Sequence, residues 1–325
     1  MAESIETEYR LIKHRRRVSV IAAKARQFAR DGIKYRVHHK TTNSTRPSTR
    51  QADEIIDISG LDHVITVDPR RRRAAVEPNV SIATLVTATL KHGLIPAVVP
   101  EFPGITVGGA FSGTALESSS FRYGHFEKSV ASLEVILGNG NIVTASPVEN
   151  SDLFSGLAGS CDITLPGNTV AAFLDWVNNN LGIYPVWICP VRVIPDSRNR
   201  ERCHNINVNV RLWGPKTIHG PDDVPGRDSP EAFERFIRDN KMIEQATRDL
   251  GGTKVVYGDN YYTEEEFWRI YDKEFYDDLR DKWGAAGLPS LWDKLGNPNP
   301  TYKEQPSRSK AIMKVLLKRD YLLKK

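Results

Sequence analysis

The stretch Pro100–Gly113, PEFPGITVGGAFSG, contains four glycines and two prolines in fourteen residues. That density is too high for an ordinary helix or strand, because glycine loses much conformational freedom on ordering and proline lacks an amide donor. We predict a loop whose main-chain N–H groups approach a phosphate or a flat ring without interference from Cβ atoms. Neither the GxGxxG nor the GxxxxGK[ST] spacing occurs, so a Rossmann or Walker-type site is not indicated. From the residues alone, a surface loop without a ligand is an equally good interpretation.

The composition is that of a globular protein. With 325 residues, 26% charged and 9% aromatic, the chain is long enough for two domains, which excludes disordered, collagen-like and disulfide-framework classes. The cysteines Cys161, Cys189 and Cys203 are odd in number and fit a reducing compartment. Metal-ligand spacing is absent from the sequence, so no metal site is expected.

The net charge of +5 is distributed unevenly. Residues 1–100 carry a balance of +8, residues 101–306 one of −9 and residues 307–325 one of +6. No nucleic-acid-binding motif occurs and the acidic middle opposes that function, so no nucleic-acid partner is expected. The basic, partly apolar tail could make a peripheral contact with an anionic bilayer, and a solvated or core-docked terminal helix is the alternative.

Signals for export and for membrane spanning are both missing from the sequence. The first ten residues are acidic and lack an apolar region, and nowhere do 18 apolar residues follow one another. We therefore expect an intracellular protein without a transmembrane helix.

Hydrophobic periodicity and turn residues predict short elements of both kinds in the first half of the chain. The pattern indicates a helix that is capped by Ser81 and ends near Gly93, and a hairpin that turns at Asn139-Gly140. The remaining predictions are a helix over 15–29, a polar loop over 38–49, and strands over 54–58, 64–67 and 74–77. This order predicts an α+β unit rather than βαβ repeats.

The second half shows its own set of elements. We predict a helix over 169–181, strands over 184–191 and 206–212, a polar linker over 222–229 and a long helix that ends at Gly251-Gly252. Thr263 and Glu266 form a capping box that predicts one last helix, extending through Leu279.

The glycine-rich run also carries a family resemblance. Pro103–Gly109 resembles the second flavin-contacting loop of FAD-linked oxidoreductases of the vanillyl-alcohol-oxidase (PCMH) type, and Thr106–Gly124 is similar in particular to delta(24)-sterol reductases. Thr42–Thr45 stands in the place of the family's pyrophosphate-binding loop. Further matching segments stand in family order at 76–78, 96–101, 133–140, 149–154, 184–190, 257–259 and 265–268.

The resemblance implies an α+β fold in which a PCMH-type FAD-binding domain is followed by a truncated α+β substrate or cap domain. The implied divisions are an N-terminal helical segment over 1–30, the FAD-binding domain over 31–161, a remnant of the substrate domain over 166–306 and a basic tail over 307–325.

The resemblance further implies noncovalent FAD. The hydroxyl groups near Thr42 and the amides of Gly108 and Gly109 would suit the pyrophosphate. The implied cofactor-binding residues are Thr42, Asn43, Ser44, Thr45, Pro103, Gly104, Thr106, Val107, Gly108, Gly109, Ser112, Gly113, Thr114, Glu117, Ser118, Tyr123 and Gly124. His38, His39 and His125 are candidates for a covalent tether by residue type only, and no tether is expected.

The implied reaction is the reduction of a C=C bond in a sterol or another terpenoid alkene, with NADPH as the electron donor. The family also implies association with the endoplasmic-reticulum membrane at its cytosolic face. No catalytic residue is identified. Tyr123, Tyr257, Asp259 and Tyr261 are polar residues in matching segments, and for the tyrosines we expect buried, hydrogen-bonded positions.

The sequence departs from the family after Cys161. The family continues with a glycine-containing turn and a strand that completes the FAD domain, whereas Asp162–Pro166 leads at once into a segment that resembles a much later part of the family. An internal block would therefore be missing, which would leave a sheet edge open and the substrate cavity incomplete. A mis-spliced gene model or a degenerate paralogue would explain this, and a non-catalytic flavoprotein remnant is the alternative function.

Overall fold

The computed structural model describes residues 2–39, 52–158, 163–194, 206–212, 216–218, 230–254 and 261–295. Several parts of the sequence interpretation lie outside these residues. They are the polar loop from residue 40 onward with Thr42–Thr45, the junction at Cys161, the polar linker 222–229, the segment with Tyr257 and Asp259, and the tail 307–325. Among the helices of the described residues, none is long and apolar enough to cross a membrane.

The chain begins with helix α1, Ala2–Arg30, which starts thirteen residues before the predicted segment. Its inner face packs Ala25 and Phe28 against Ile56 on a pair of parallel strands, β1 (Arg36–His38) and β2 (Ile55–Asp57). Gly32 ends the helix at a φ of 67°, a left-handed conformation that costs glycine little.

The next elements confirm the predicted strands and cap. The strands β3 (Val64–Asp68) and β4 (Arg73–Val76) pair antiparallel, and helix α2 (Ile82–Leu90) follows. The Ser81 hydroxyl accepts a hydrogen bond from the Thr84 amide at 3.1 Å, which satisfies one of the unpaired donors at the start of the helix.

The glycine-rich run is not a loop throughout, which corrects the sequence prediction. Val107–Ser112 forms a short helix, α3, with Thr106 as its N-cap. The helix buries Ala110 and Phe111 in the core that Ile82 and Phe154 share. This packing outweighs the low helix propensity of the two glycines.

Beyond α3, the chain forms helix α4 (Ser120–Tyr123), strands β5 (Leu133–Ile136) and β6 (Ile142–Ala145), and helix α5 (Ser151–Gly156). β5 and β6 form the predicted hairpin, and Gly140 has the positive φ that a tight turn needs, at 79°.

The second half is built on a three-stranded antiparallel sheet in the order β7-β9-β8. Its strands are β7 (Ile163–Pro166), β8 (Val186–Arg192) and β9 (Ile206–Leu212). Helices α6 (Val170–Asn180) and α7 (Pro230–Asp249) cover one face, and their core includes Phe173 and Val210. The predicted helix over 169–181, the strands over 184–191 and 206–212, and the long helix before Gly251-Gly252 are confirmed.

The last predicted helix is wrong in one respect. Instead of one helix through Leu279, the structure has α8 (Glu264–Ile270) and α9 (Lys273–Lys282), followed by α10 (Leu291–Leu295). The Thr263 capping box is present as predicted. The break follows from Asp272, whose carboxylate accepts from the Phe275 amide at 2.9 Å and so starts a new helix.

Candidate functional site

The start of α3 is held tightly against the segment after β4. The amides of Val107 and Gly108 donate to the carbonyls of Val80 and Pro78, each at 2.8 Å, and the Gly109 amide donates to the Thr106 hydroxyl at 3.1 Å. A Cβ at position 108 would lie 3.0 Å from Pro78 Cβ. The close approach of two backbone segments therefore explains Gly108, and contact of these amides with a pyrophosphate stays a prediction.

Thr114 follows α3 in an uncommon conformation. Its φ of 44° is left-handed, which is strained for a β-branched residue and costs about 1–3 kcal/mol. The side chain is only 5% exposed, and within the described residues its hydroxyl has no hydrogen-bond partner. A buried hydroxyl left unpaired costs about 1–3 kcal/mol more. Such a group is satisfied when a ligand brings a hydrogen-bonding atom to it.

Glu117 organises the turn that follows. Its carboxylate accepts from the Ser118 hydroxyl and the Ser119 amide, both at 2.9 Å, from the Ser119 hydroxyl, and from the Val99 amide at 3.4 Å. Burial raises the pKa of this carboxyl, but the hydrogen bonds from Ser119 and its neighbours favour the ionised form and hold the pKa below its usual value. Because these bonds occupy the carboxylate, Glu117 positions the segment.

Ser119 was missed by the sequence reasoning. Its hydroxyl lies within hydrogen-bond distance of both the Ala97 carbonyl, at 2.7 Å, and the Glu117 carboxylate, which share its single hydrogen. Ser119 thus ties the turn to the segment before the glycine-rich run. The signal that could have found it is the three serines directly after an acidic residue, since such hydroxyls and amides readily bond a nearby carboxylate.

The predicted site residues of the described part lie on one continuous segment, 103–124. Pro103, Gly104, Gly109, Ser112, Ser118 and Tyr123 are exposed; Thr106, Val107, Gly108, Gly113 and Glu117 are half-buried; Thr114 and Gly124 are buried. The structure does not describe Thr42, Asn43, Ser44 and Thr45, so their position beside this segment stays a prediction.

Tyr123 and Tyr261 differ in their exposure to solvent. Tyr123 is 41% exposed, with the Arg122 guanidinium 5.4 Å from its ring centre, which corrects the expectation of a buried position. Tyr261 is buried as expected and packs edge-on against Phe236. The difference arises because α4 is a single short turn that turns Tyr123 toward solvent.

The second half of the chain supports the end of the candidate site. Leu116 forms a buried cluster with Cys189 and Val191 of β8. The Cys189 thiol donates to the Glu117 carbonyl at 3.3 Å, and burial, together with the Glu117 charge, raises its pKa to about 11. Cys189 is therefore a protonated hydrogen-bond donor at neutral pH. The sequence offered no signal for this contact.

His63, Asp62 and Glu77 bring three potential metal-ligating atoms within 4.8 Å of one another. The Arg17 guanidinium lies 3.5 Å from His63 Nδ1 and 3.9 Å from a Glu77 oxygen. A fixed cation in that position competes with a divalent ion, so we do not assign a metal to this cluster.

Among the predicted site residues that the structure describes, Thr114 is the one whose buried side-chain polar atom has no partner within the described residues. Thr114 presents a buried, unsatisfied hydroxyl in a strained conformation, directly after the glycine-rich run. Strained residues with unused polar groups cluster at ligand sites. The arrangement suits a ligand with polar ring atoms.

Comparison with known proteins bears on the cofactor of this chain. Residues 16–146 match the family model of the FAD binding domain. Delta(24)-sterol reductase of Rattus norvegicus is 33% identical over 153 residues, which are 46% of this chain and 30% of that protein. The Homo sapiens enzyme is 37% identical over 101 residues, 31% and 20% of the two chains. Cytokinin dehydrogenase 9 of Oryza sativa subsp. japonica is 39% identical over 71 residues, 22% and 14% of the two chains.

Solved structures give weaker similarities. 6-Hydroxy-D-nicotine oxidase from Arthrobacter nicotinovorans has a TM-score of 0.40 and 16% identity, covering 75% of this chain and 53% of that one. Carbohydrate oxidase from Microdochium nivale has a TM-score of 0.37 and 17% identity, covering 71% of this chain and 49% of that one.

The chain spans less than a third of the length of the sterol reductases and cytokinin dehydrogenase it matches. Residues 16–146 thus match the family model of an FAD binding domain, and part of the chain is similar to part of the delta(24)-sterol reductases.

Proposed function

We propose that this chain is an FAD-dependent oxidoreductase that reduces a C=C bond of a sterol-like substrate, with noncovalent FAD and NADPH as electron donor. The observation that carries the proposal is the match of residues 16–146 to the FAD binding domain, together with the similarity to delta(24)-sterol reductases. The chemistry supplied by bound FAD is hydride transfer. We assign no proton donor.

The chain's own residues would bind and orient the cofactor. The Thr114 hydroxyl would hydrogen-bond a polar ring atom of the flavin, which would relieve the cost of leaving it unpaired. The packing of Gly108 on Pro78 and the bonds from Ser119 to Glu117 would hold the segment 103–124 in place. Thr42–Thr45 would provide hydroxyl groups for the pyrophosphate.

Membrane association at the cytosolic face of the endoplasmic reticulum, aided by the tail 307–325, belongs to the same proposal.

A non-catalytic flavoprotein remnant is the second candidate. It is favoured by the limited coverage of the relatives, since the chain matches only 30% of the rat enzyme's length. It is also favoured by β7, which follows the junction at Cys161 and pairs with β9 of the second half. Sequencing of the transcript across codons 161 and 162 tests the gene-model explanation, and an uninterrupted cDNA would contradict it.

FAD retention is the decisive first experiment. The purified chain, incubated with FAD and passed through a desalting column, is expected to be yellow with close to one flavin per chain. Thr114→Val keeps the shape but removes the hydroxyl, so FAD affinity should fall about fivefold. Thr87→Val is the matched control, because the Thr87 hydroxyl lies on the exposed side of α2 and donates to the Ala83 carbonyl.

Catalysis needs a separate readout. Under anaerobic conditions NADPH should bleach the bound flavin, and a sterol with a Δ24 double bond should restore the colour. A yellow protein whose colour changes neither with NADPH nor with the sterol would support the non-catalytic flavoprotein remnant. Colourless protein that FAD cannot reconstitute would overturn flavin binding itself.

A further inference from the structure

We propose that the outward face of α1 docks onto an anionic phospholipid surface, with a headgroup phosphate received at a cavity beside the helix. This proposal does not depend on flavin binding or on the tail.

The face of α1 that points away from the protein is apolar. Ile5, Tyr9, Ile12 and Val20 are 63%, 59%, 59% and 65% exposed, respectively. At about 100° per residue these positions fall on one side of the helix, opposite the buried Val18, Ala22 and Ala25. From Ile5 to Val20 the stripe is about 22 Å long. The helix is therefore apolar on two opposite sides, of which only one is covered within the described residues.

Cations flank this apolar stripe. Residues 10–30 contain eight lysines and arginines and no aspartate or glutamate. Lys13 and Lys24 are exposed on one flank of the stripe, and Arg15 and Arg26 are exposed on the other. The exposed Arg16 lies within the stripe, between Ile12 and Val20. An apolar stripe between rows of cations is the pattern of helices that lie in the interface of an anionic bilayer.

A cavity adjoins the stripe where the cations are densest. It measures about 370 Å³ and is lined by Lys13, Arg16, Arg17, Val20, Ile21, Asp57, Ile58, Gly60 and Leu61. Its cationic side chains suit a phosphate, and its apolar floor suits the first carbons of an acyl or glycerol chain. Asp57 is the single acid of the lining, and its carboxylate accepts from the Ser59 amide at 2.8 Å.

The charges favour a bilayer over the other occupants. A second copy of the chain would bring two α1 helices together, each with eight cations against the three acids Glu3, Glu6 and Glu8, so that like charges would dominate the contact. A protein partner would need an acidic groove that matches a single convex helix, whereas a fluid bilayer accommodates an isolated apolar stripe without shape complementarity.

Co-sedimentation of the full chain with vesicles tests the proposal. Wild-type protein should bind vesicles of phosphatidylcholine with phosphatidylserine and bind phosphatidylcholine vesicles much more weakly. Ile12→Ser with Val20→Ser should lower binding at least about tenfold, because two apolar side chains no longer insert. Lys13→Gln with Arg16→Gln should lower it about twenty-five-fold, at roughly fivefold per cation.

Matched controls distinguish binding by this face of α1 from nonspecific adsorption of the protein to vesicles. Leu90→Ser with Ile95→Ser removes two side chains that are 57% and 66% exposed on another surface. Arg70→Gln with Arg71→Gln removes two exposed cations at the turn between β3 and β4. Both controls should bind as wild type, and far-UV circular dichroism should be unchanged in all variants.

Three results would overturn the proposal. They are wild-type binding by the Ile12→Ser, Val20→Ser variant, equal binding to both vesicle types, and failure to bind either type. Wild-type binding by that variant would show that another segment, such as the tail, makes the membrane contact. Failure to bind either vesicle type is also the result expected if this face binds an acidic protein instead of lipid.

Discussion

His14 Nδ1 lies 2.9 Å from a carboxylate oxygen of Glu77, a residue that is only 2% exposed. The other ring nitrogen of His14 lies 3.0 Å from a carboxylate oxygen of Glu134 on β5. The imidazole therefore lies between the two carboxylates, within hydrogen-bond distance of each. One side chain of α1 thereby links the helix to the segment after β4 and to β5.

Replacing His14 should loosen this link. We expect His14→Ala to lower the free energy of unfolding by about 1–3 kcal/mol, because it leaves a buried carboxylate with fewer partners. Urea unfolding followed by circular dichroism measures the change. Arg15→Ala, an exposed neighbour on the same helix, should change stability little. Equal losses in the two variants would show that the contribution is general to α1.

Gly108 and Gly104 form a matched pair within the glycine-rich run. A Cβ at position 108 would lie 3.0 Å from Pro78 Cβ and 3.1 Å from its carbonyl oxygen, whereas a Cβ at 104 would meet nothing within 4 Å. We expect Gly108→Ala to destabilise the protein by about 1–2 kcal/mol, after a partial offset from better helix propensity. Gly104→Ala should be close to neutral. Thermal unfolding distinguishes the two, and a neutral Gly108→Ala would contradict the packing explanation.

Glu117 should make the free energy of unfolding depend on pH. Its pKa is lower in the folded protein than the usual 4.5, so its stabilising contribution is present above 4.5 and is lost as the pH falls through the lowered value. Glu117→Gln should cost about 1–3 kcal/mol at neutral pH, with the difference from wild type shrinking in acid. Urea titrations across this range measure it.

The control for that series is Glu149→Gln, since Glu149 is exposed. Its difference from wild type should stay small at every pH. A Glu117→Gln difference that remained constant in acid would contradict the assigned role of the carboxylate.

Cys189 should be inert in the folded protein. Burial raises its pKa to about 11, so the reactive thiolate is a small fraction at neutral pH and grows only toward that value. In a Cys161→Ser, Cys203→Ser background, a thiol reagent should react slowly with native protein and rapidly in urea. Fast reaction of the native protein would contradict the buried contact with Glu117.

Local signals made part of the fold predictable. The Ser81 cap, the Asn139-Gly140 turn and the Thr263 capping box each depend on a few adjacent residues, and the structure has all three. Helix α3 was not predictable in this way, because its stability comes from Phe111 packing on residues distant in sequence. Asp272 is a local cap that the uninterrupted apolar pattern around it concealed.

The candidate site was predictable as a segment and less so in detail. The glycine-rich run drew attention to residues 103–124, but the glycine pattern does not distinguish a ligand contact from a backbone contact such as that of Gly108 with Pro78. The conformation of Thr114 has no sequence signal, since threonine rarely adopts a positive φ.

The burial of Leu116 by Cys189 and Val191 of β8 has a consequence for how this gene can change. A recombination event that removed the second half would uncover an apolar side chain at the end of the glycine-rich segment. A stable chain that ended before β8 would therefore need another apolar surface to cover Leu116.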